Sequence, residues 1–234
     1  MKIIGIIPSR YASTRLPGKP LKDIAGKPMI QRVYEAAKRV KILDKVIIAT
    51  DDARIAGAAR RFTSDVIMTP QCNTGTDRLA FVARGLDCDI VVNIQGDEPL
   101  LEPEMVVAAS KPMVDNADIP AATLATDFTG ESEKAEPGNV KVITDVKGFA
   151  IYFSRQPLPN SMKHVGLYVF RKDFLFAFAA MKQTPLELAE KLEQLRIIEN
   201  GYRIYVSKTP FRTIGVDTEE DLARVRKIFA AQQT

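Results

Sequence analysis

Short apolar runs punctuate the chain, and each ends in a cluster of polar residues. Ile3 to Ile7, Val46 to Thr50, Val66 to Met68 and Ile90 to Ile94 are rich in β-branched side chains and show no polar alternation. Runs of this kind are strands buried on both faces, as in a parallel sheet, and Pro8 is expected to stop the first of them. Between the runs, apolar positions recur at helical spacing. Met29, Val33, Ala36, Ala37 and Val40 predict a helix over 27–40; further helices are predicted from Ala53 to Arg61, from Gly75 to about Gly85, and from Pro103 to Asn116. Strands alternating with helices make an α/β fold around a mainly parallel sheet. From Ile119 to about Phe153 the texture changes. Ala121 to Thr126, Val140 to Thr144 and Phe149 to Phe153 predict antiparallel strands, with a hairpin turn at Asp145 to Gly148, and Val165 to Phe170 predicts another strand. A helix is expected over Leu186 to Asn200, with Leu188, Leu192 and Leu195 as its buried stripe, Glu187 and Lys191 as an i, i+4 pair, and Asn200-Gly201 as its end. Arg203 to Val206 is the last strand. Thr218 caps a final helix, with Asp221 in a weak form of the capping box.

A chain of 234 residues is long enough for one large α/β domain. No linker forces a cut, so 1–234 is expected as a single domain with a β-rich element at about 119–170. Cys72 and Cys88 match no metal spacing and suit a reducing compartment. The N-terminus lacks the pattern of a signal peptide, and no apolar stretch approaches 18 residues, so a cytoplasmic protein with no membrane insertion is expected. The net charge of +4 is mild, and aromatics do not interleave with the cations. An anionic small molecule therefore explains the excess at least as well as a nucleic acid does. A nucleic-acid partner would instead show itself as a steep salt dependence.

The candidate chemistry sits where the predicted strands end, which is where open α/β sheets bind ligands. After the first strand, Arg10, Arg15, Lys19 and Lys22 share a Pro-rich loop with the hydroxyls of Ser9, Ser13 and Thr14. Guanidinium, ammonium and hydroxyl groups together suit a phosphate chain, although a solvated basic loop fits the composition too. The loop matches neither G-x-G-x-x-G nor G-x-x-x-x-G-K-[ST]. Before the third predicted helix, Thr74, Gly75 and Thr76 open a helix N-terminus that suits an anion or polar base edges, or a helix cap alone. Asp51 and Asp52 either cap a helix or meet a ligand. After the fourth strand come Gln95, Gly96, Asp97 and Glu98; Gly96 lets the backbone turn, and an acid there is placed to hold Mg²⁺. Asp217 lies just outside the final helix, is not needed for its cap, and can complete a metal site with Asp97. Arg155, the lone His164 at a strand entrance, and Tyr168 on the same face form a second polar group. Glu193 and Gln194 flank the stripe of the Leu186 helix.

The run IIPSRYASTRLPGKPL, followed in order by ATDD, TGTDRLA, VNIQGDEPL, YFSR, KHVGLYVFR, LEQLR and GVDTEEDL, closely resembles the 3-deoxy-manno-octulosonate (Kdo) cytidylyltransferases, the CMP-Kdo synthetases of lipopolysaccharide assembly in Gram-negative bacteria. The resemblance covers Ile4 to about Arg226. It implies a nucleotide-diphospho-sugar transferase (Rossmann-like) fold, with a mainly parallel mixed sheet flanked by helices and a small β-rich element at a homodimer contact. The implied reaction joins CTP and Kdo into CMP-Kdo and pyrophosphate with Mg²⁺. By motif match, Arg10, Ser13, Arg15 and Lys19 bind the triphosphate, and Gly75, Thr76 and Arg78 lie against the cytidine. Asp97 and Asp217 hold Mg²⁺. Gln95, Arg155, His164, Tyr168, Glu193 and Gln194 bind the sugar acid. Arg10, Lys19, Asp97 and Asp217 carry catalysis. One departure stands out: Ser154 to His164 is shorter than the corresponding loop in many members. A related sugar acid, such as 8-amino-Kdo or a sialic acid, is the alternative substrate; a catalytically silent nucleotide-binding protein is the alternative class.

Overall fold

In the computed structural model, which describes residues 1–12 and 15–231, the chain forms two compact units, Met1–Glu104 with Thr213–Thr234, and Met105–Arg212. The first unit opens with β1 (Ile3–Ser9). A small hairpin of β2 (Asp23–Ile24) and β3 (Lys27–Pro28) leads into α1 (Met29–Lys38), β4 (Lys45–Thr50), α2 (Ala53–Ala59), β5 (Val66–Met68), α3 (Gly75–Arg84) and β6 (Ile90–Asn93). The four long strands pair in parallel in the order β5-β4-β1-β6. Their apolar runs are buried on both faces: Ile6, Ile7, Ile48 and Val92 are all fully inaccessible. This is the outcome that the absence of alternation predicts.

Pro8 lies inside β1, opposite Ala49, and does not end the strand. Ile6, of the same parity, faces β6, where its carbonyl accepts from the N–H of Ile94. The β6 register ends at Ile6 and Asn93, so the N–H that Pro8 lacks has no ladder partner to lose. The predicted helix at 27–40 begins at Met29, because Lys27 and Pro28 are spent in the hairpin.

The second unit carries α4 (Pro103–Asp115) from Met105 on, β7 (Ala121–Thr126), α5 (Glu131–Ala135), β8 (Lys141–Thr144), β9 (Ala150–Ser154), β10 (Met162–Arg171), α6 (Lys172–Ala180), α7 (Pro185–Glu190), α8 (Leu195–Glu199) and β11 (Ile204–Lys208). Its sheet is mixed. β7 pairs in parallel with β11 and antiparallel with β10; β10 pairs antiparallel with β8, and β8 with β9. The hairpin turn expected at Asp145 to Gly148 is present, with the Asp145 carboxylate accepting from the N–H groups of Lys147 and Phe149. Residues 155–161 alone join β9 to β10, so the short connection read from the sequence is found. The last described element, α9 (Glu219–Ala231), is back in the first unit.

The helix expected over Leu186 to Asn200 is two helices. Lys191 adopts φ +55, and the chain resumes helical geometry only at α8. Glu187 does not pair with Lys191. It is buried, and it accepts from Arg196 Nε at 2.8 Å and Nη2 at 2.5 Å. Its carboxylate also accepts from the N–H of Thr184 at 3.2 Å, at the start of α7. Of the predicted stripe, Leu192 and Leu195 are buried, but Leu188 is exposed. A strong ion pair between the two helices turns Glu187 inward, and the turn at Lys191 takes Leu188 off the buried face. Among the described residues no helix is long and apolar enough to cross a membrane.

Candidate active site

In the first unit the loop after β1, the loop after β6 and the turn before α9 meet around one lysine. Lys19 Nζ donates to Asp97 Oδ2 at 2.6 Å and to Asp217 Oδ1 at 2.9 Å. Arg15 Nη2 donates to the other oxygen of Asp217 at 2.9 Å. The N–H of Val216 donates to the carbonyl of Asp97 at 2.9 Å, tying the two acidic loops together by backbone. Asp217 stays outside the cap of α9, as expected: Thr218 and Asp221 complete that capping box between themselves. Burial opposes the Lys19 charge, but Asp97 and Asp217 outweigh it and hold the ammonium above the ordinary lysine pKa. Burial likewise works against the Asp217 carboxylate; Lys19 and Arg15 overcome it and hold its pKa below the usual range.

Two glycines shape this cluster. Gly18 has φ +66, and a Cβ there would come within 3.1–3.2 Å of the Tyr11 ring. Tyr11 in turn lies 3.3 Å beneath the Arg54 guanidinium, so the basic loop folds back on α2. The turn expected at Gly96 is present, with the N–H of Glu98 donating to the Gln95 carbonyl at 3.3 Å, and it needs no left-handed φ at the glycine. What Gly96 supplies is space: a Cβ would meet Ser9 Oγ at 2.9 Å and the Pro8 carbonyl at 3.0 Å. Ser9 Oγ and Asn93 Oδ1, at the carboxyl ends of β1 and β6, are buried with no hydrogen-bond partner among the described residues. Such atoms cost about 1–3 kcal/mol each unless water or a ligand completes them. Arg10 is solvent-exposed at the end of β1, Gln95 is half-buried beyond β6, and Ser13 lies outside the described residues.

The opening of α3 is built as a cap. Thr74 accepts from the N–H of Asp77 at 3.1 Å, and Asp77 accepts from the N–H of Thr74 at 3.0 Å, with Gly75 as the first helical residue and Thr76 buried behind it. Arg78 is buried, donating to Thr69 Oγ1 and, at 2.9 Å, to Asp51. The two acids after β4 therefore divide their tasks. Asp52 caps α2 through the N–H of Arg54 at 2.9 Å, and Asp51 neutralises Arg78.

The remaining predicted residues belong to the second unit. Arg155 follows β9. Its backbone N–H donates to Glu190 Oε2 at 2.9 Å, its Nε to the Glu190 carbonyl at 3.1 Å, and its Nη1 to the Pro137 carbonyl at 3.3 Å; no partner is found for Nη2 among the described residues. Ser154 Oγ donates to the same Glu190 carboxylate at 2.7 Å. Lys141, fully buried, donates to the Glu136 carbonyl at 2.7 Å and to the Arg155 carbonyl at 2.9 Å; burial pushes its pKa down. His164 lies within β10 and not at its entrance. Its ring packs edge-on against Phe153 at 5.1 Å and tilted against Tyr168 at 5.3 Å. Burial alone holds its pKa down, to about 3, so the imidazole is neutral at physiological pH. Burial, with Glu193 second, pushes the Tyr168 hydroxyl well above its ordinary value. Glu193 and Gln194 sit in the break between α7 and α8 and do not flank a continuous helix. Gln194 is buried, and Glu193 lies 3.5 Å from Arg196.

Glu190, Lys141 and Asp51 support site residues, and none was singled out from the sequence as doing so. Glu190 sits among the charges of LELAEKLEQLR and Lys141 in an ordinary strand, so no local pattern marks either.

Among the described residues no group of three or more His, Cys, Asp or Glu side chains is arranged to hold a metal. Asp97 and Asp217 nonetheless converge on one point, which the Lys19 ammonium marks. Two carboxylates that leave the other positions to phosphate and water oxygens are the donor set that Mg²⁺ accepts. The residues present fit that ion.

Residues 4–204 match the Cytidylyltransferase family. A 3-deoxy-manno-octulosonate cytidylyltransferase of Geobacter metallireducens is 53% identical, with 96% of each chain covered. The protein of that name from Pelobacter propionicus is 49% identical over the full length of both. That alignment spans 254 positions against the 234 residues here, so about 20 positions have no counterpart in this chain. A solved structure of CMP:2-keto-3-deoxy-manno-octonic acid synthetase complexed with CTP is 41% identical, covers 99% of this chain and superposes with a TM-score of 0.95. A 4-diphosphocytidyl-2C-methyl-D-erythritol synthase from Anaerococcus prevotii, 16% identical with a TM-score of 0.66, shares the fold. With the motif order, the α/β architecture and these likenesses in agreement, the chain belongs to the 3-deoxy-manno-octulosonate cytidylyltransferase family.

Proposed function

We propose that this protein transfers CMP from CTP to the anomeric 2-hydroxyl of Kdo, releasing pyrophosphate and forming CMP-Kdo for lipopolysaccharide synthesis in the cytoplasm. The observation that carries the reading is Lys19, shared between Asp97 and Asp217 at the mouth of a parallel sheet. Phosphoryl transfer needs charge and positioning more than a nucleophilic side chain, and this cluster supplies both. Lys19 and Arg15 meet the triphosphate oxygens, and exposed Arg10 extends the cationic surface toward the leaving pyrophosphate. The capped N-terminus of α3, with Gly75 and Thr76, faces the nucleotide, and Arg78 holds the preceding loop in place through Thr69. Asp97 and Asp217 hold Mg²⁺. When bound, that ion supplies charge neutralisation at the phosphate and acidifies a hydroxyl near it.

In the second unit Arg155 is the partner for the sugar carboxylate. Two of its nitrogens are already fixed on backbone carbonyls, so the guanidinium is oriented before substrate arrives. Neutral His164 and Tyr168, with Glu193 and Gln194, take the sugar hydroxyls; Gln95, after β6, is the remaining residue of the predicted set. A homodimer is the assembly that accompanies this family reading.

The test is pyrophosphate release by purified protein with CTP, Kdo and Mg²⁺, each omitted in turn. Release only with all three supports the reading. Release with another sugar acid but not with Kdo keeps the chemistry and changes the substrate. No release with any sugar acid, in a protein that still binds CTP, overturns it.

A further inference from the structure

Thr123 is fully buried in β7, in a strand otherwise made of alanine, leucine and threonine, and nothing in the reaction calls for it. Its Oγ1 has three neighbours: the Leu167 carbonyl at 2.8 Å, the Val165 carbonyl at 3.2 Å, and His164 Nε2 at 3.0 Å. A hydroxyl has one hydrogen to give. Two of the three neighbours are carbonyl oxygens, which only accept, so that hydrogen belongs to the carbonyls. Were it turned to His164 instead, an oxygen lone pair would face the Leu167 carbonyl at 2.8 Å with no proton between them. The contact with the ring is therefore one in which Nε2–H donates to Thr123.

A neutral imidazole carries one N–H. The ring is neutral, since burial holds its pKa near 3 and no acid pairs with it. With the proton on Nε2, Nδ1 is a bare acceptor, and no partner for it is found among the described residues.

The same threonine organises the strand. Opposite β7, the β10 register jumps between Val165 and Tyr168: His164 pairs with Ala125, and Tyr168 with Thr123. Four residues of β10 thus span two of β7, and the extra pair, Gly166 and Leu167, bulges. In a regular strand His164 and Tyr168 would stand about 13 Å apart; the bulge brings their rings to 5.3 Å. Thr123 binds the carbonyls on both sides of Gly166, so it holds the bulge and the ring together.

We propose that Thr123 is a positioning residue that fixes His164 as the Nε2–H tautomer, so that His164 meets the sugar acid through Nδ1 as a hydrogen-bond acceptor from a sugar hydroxyl. This rests on the sugar-site reading of His164 given above. It selects for a donor at that position of the substrate: a hydroxyl or ammonium is accepted, whereas a deoxy or O-methyl group is rejected.

The chain holds a single histidine, so ¹⁵N ring resonances of the labelled full-length protein report this side chain alone. The expected spectrum has a protonated Nε2 and an unprotonated Nδ1. In Thr123→Val the preference is lost, and the KM for the sugar acid rises roughly tenfold, the worth of about one neutral hydrogen bond, while the KM for CTP stays unchanged. Thr123→Ser, which keeps the hydroxyl, restores both. A protonated Nδ1, or an even mixture, in the unsubstituted protein overturns the proposal without recourse to any variant. Loss of the tautomer in Thr123→Val with no change in sugar KM overturns the link to the substrate. His164→Ala then locates the fault: an unchanged sugar KM there means that the sugar-site reading of His164 has failed, and a raised one means that the tautomer does not matter.

Discussion

Replacing Lys19 with methionine keeps most of the side-chain volume and removes one charge from between two acids. Lys19 Nζ is 2.6 Å from Asp97 and 2.9 Å from Asp217, so the two carboxylate oxygens lie no more than about 5.5 Å apart. At an effective dielectric constant of about 20, two like unit charges at that separation repel by about 3 kcal/mol. Asp217 is 44% exposed, which screens the repulsion toward about 1 kcal/mol. Urea unfolding of Lys19→Met at pH 7 is therefore expected to show a loss of about 1–3 kcal/mol. The pH profile carries the sharper information. In the unsubstituted protein the Asp217 pKa is held down, so its contribution is present above the unfolded value near 4 and is lost as pH falls. In the variant the repulsion raises the pKa of one of the pair, so that stability is lost as pH rises and regained as pH falls toward about 4. The difference between the two proteins should narrow on acidification and also on adding Mg²⁺ at pH 7, with the variant gaining more. Turnover should drop by about 10²–10³, as for removal of one preorganised charge donor. Equal midpoints at pH 7, with parallel pH profiles and no differential effect of Mg²⁺, would refute the picture of two acids converging on one cation.

Other residues give independent checks. Glu187→Ala removes the two shortest contacts of the buried Arg196 guanidinium, leaving Glu193 at 3.5 Å, and should cost about 3 kcal/mol by urea unfolding, whereas Glu187→Leu with Arg196→Met should recover most of it. His164 binds protons more weakly folded than unfolded, so acidification from pH 7 to 5 should remove about 2 kcal/mol of stability, a slope that His164→Gln abolishes. Gly18→Ala forces a Cβ into φ +66 against the Tyr11 ring; it should cost about 1–2 kcal/mol and raise the KM for CTP above that for the sugar acid. Arg155→Ala should raise the KM for the sugar acid much more than that for CTP, and an equal loss for both would remove Arg155 from the sugar site.

Much of the α/β plan was legible because burial on both faces leaves a local mark. The runs at Ile3, Val46, Val66 and Ile90 needed no partner to be read as strands, and the polar clusters after them fell at strand ends as a consequence. Thr218 announced its helix because a capping box is complete within four residues. Leu186 to Asn200 was misread for the opposite reason. Its periodicity is helical throughout, but Glu187 is drawn inward by Arg196, nine positions on, and Lys191 takes up a left-handed turn that no residue type there demands. Pro8 was misread because whether its missing N–H matters depends on where a neighbouring strand ends.

What the sequence determined by itself was the inventory: which segments are strands and helices, which loops carry the charge, and, through the order of its motifs, which family it joins. These follow from short-range sterics and from the period of the apolar positions. Only the tertiary structure decided how those charges are used. Lys19, Asp97 and Asp217 are some 80 to 200 residues apart in the chain and are neighbours only because the loops after β1 and β6 and the turn before α9 fold together. Arg78 and Arg155 were equals in the sequence, two arginines beside polar loops. Folding buries one against Asp51 and leaves the other anchored on carbonyls with a nitrogen to spare. Thr123 shows the limit most clearly. A threonine in AATLAT carries no signal, and its place against His164 arises from a bulge in another strand about 40 residues away, where the protein's hydrogen-bond geometry, and not its local sequence, sets the state of the imidazole.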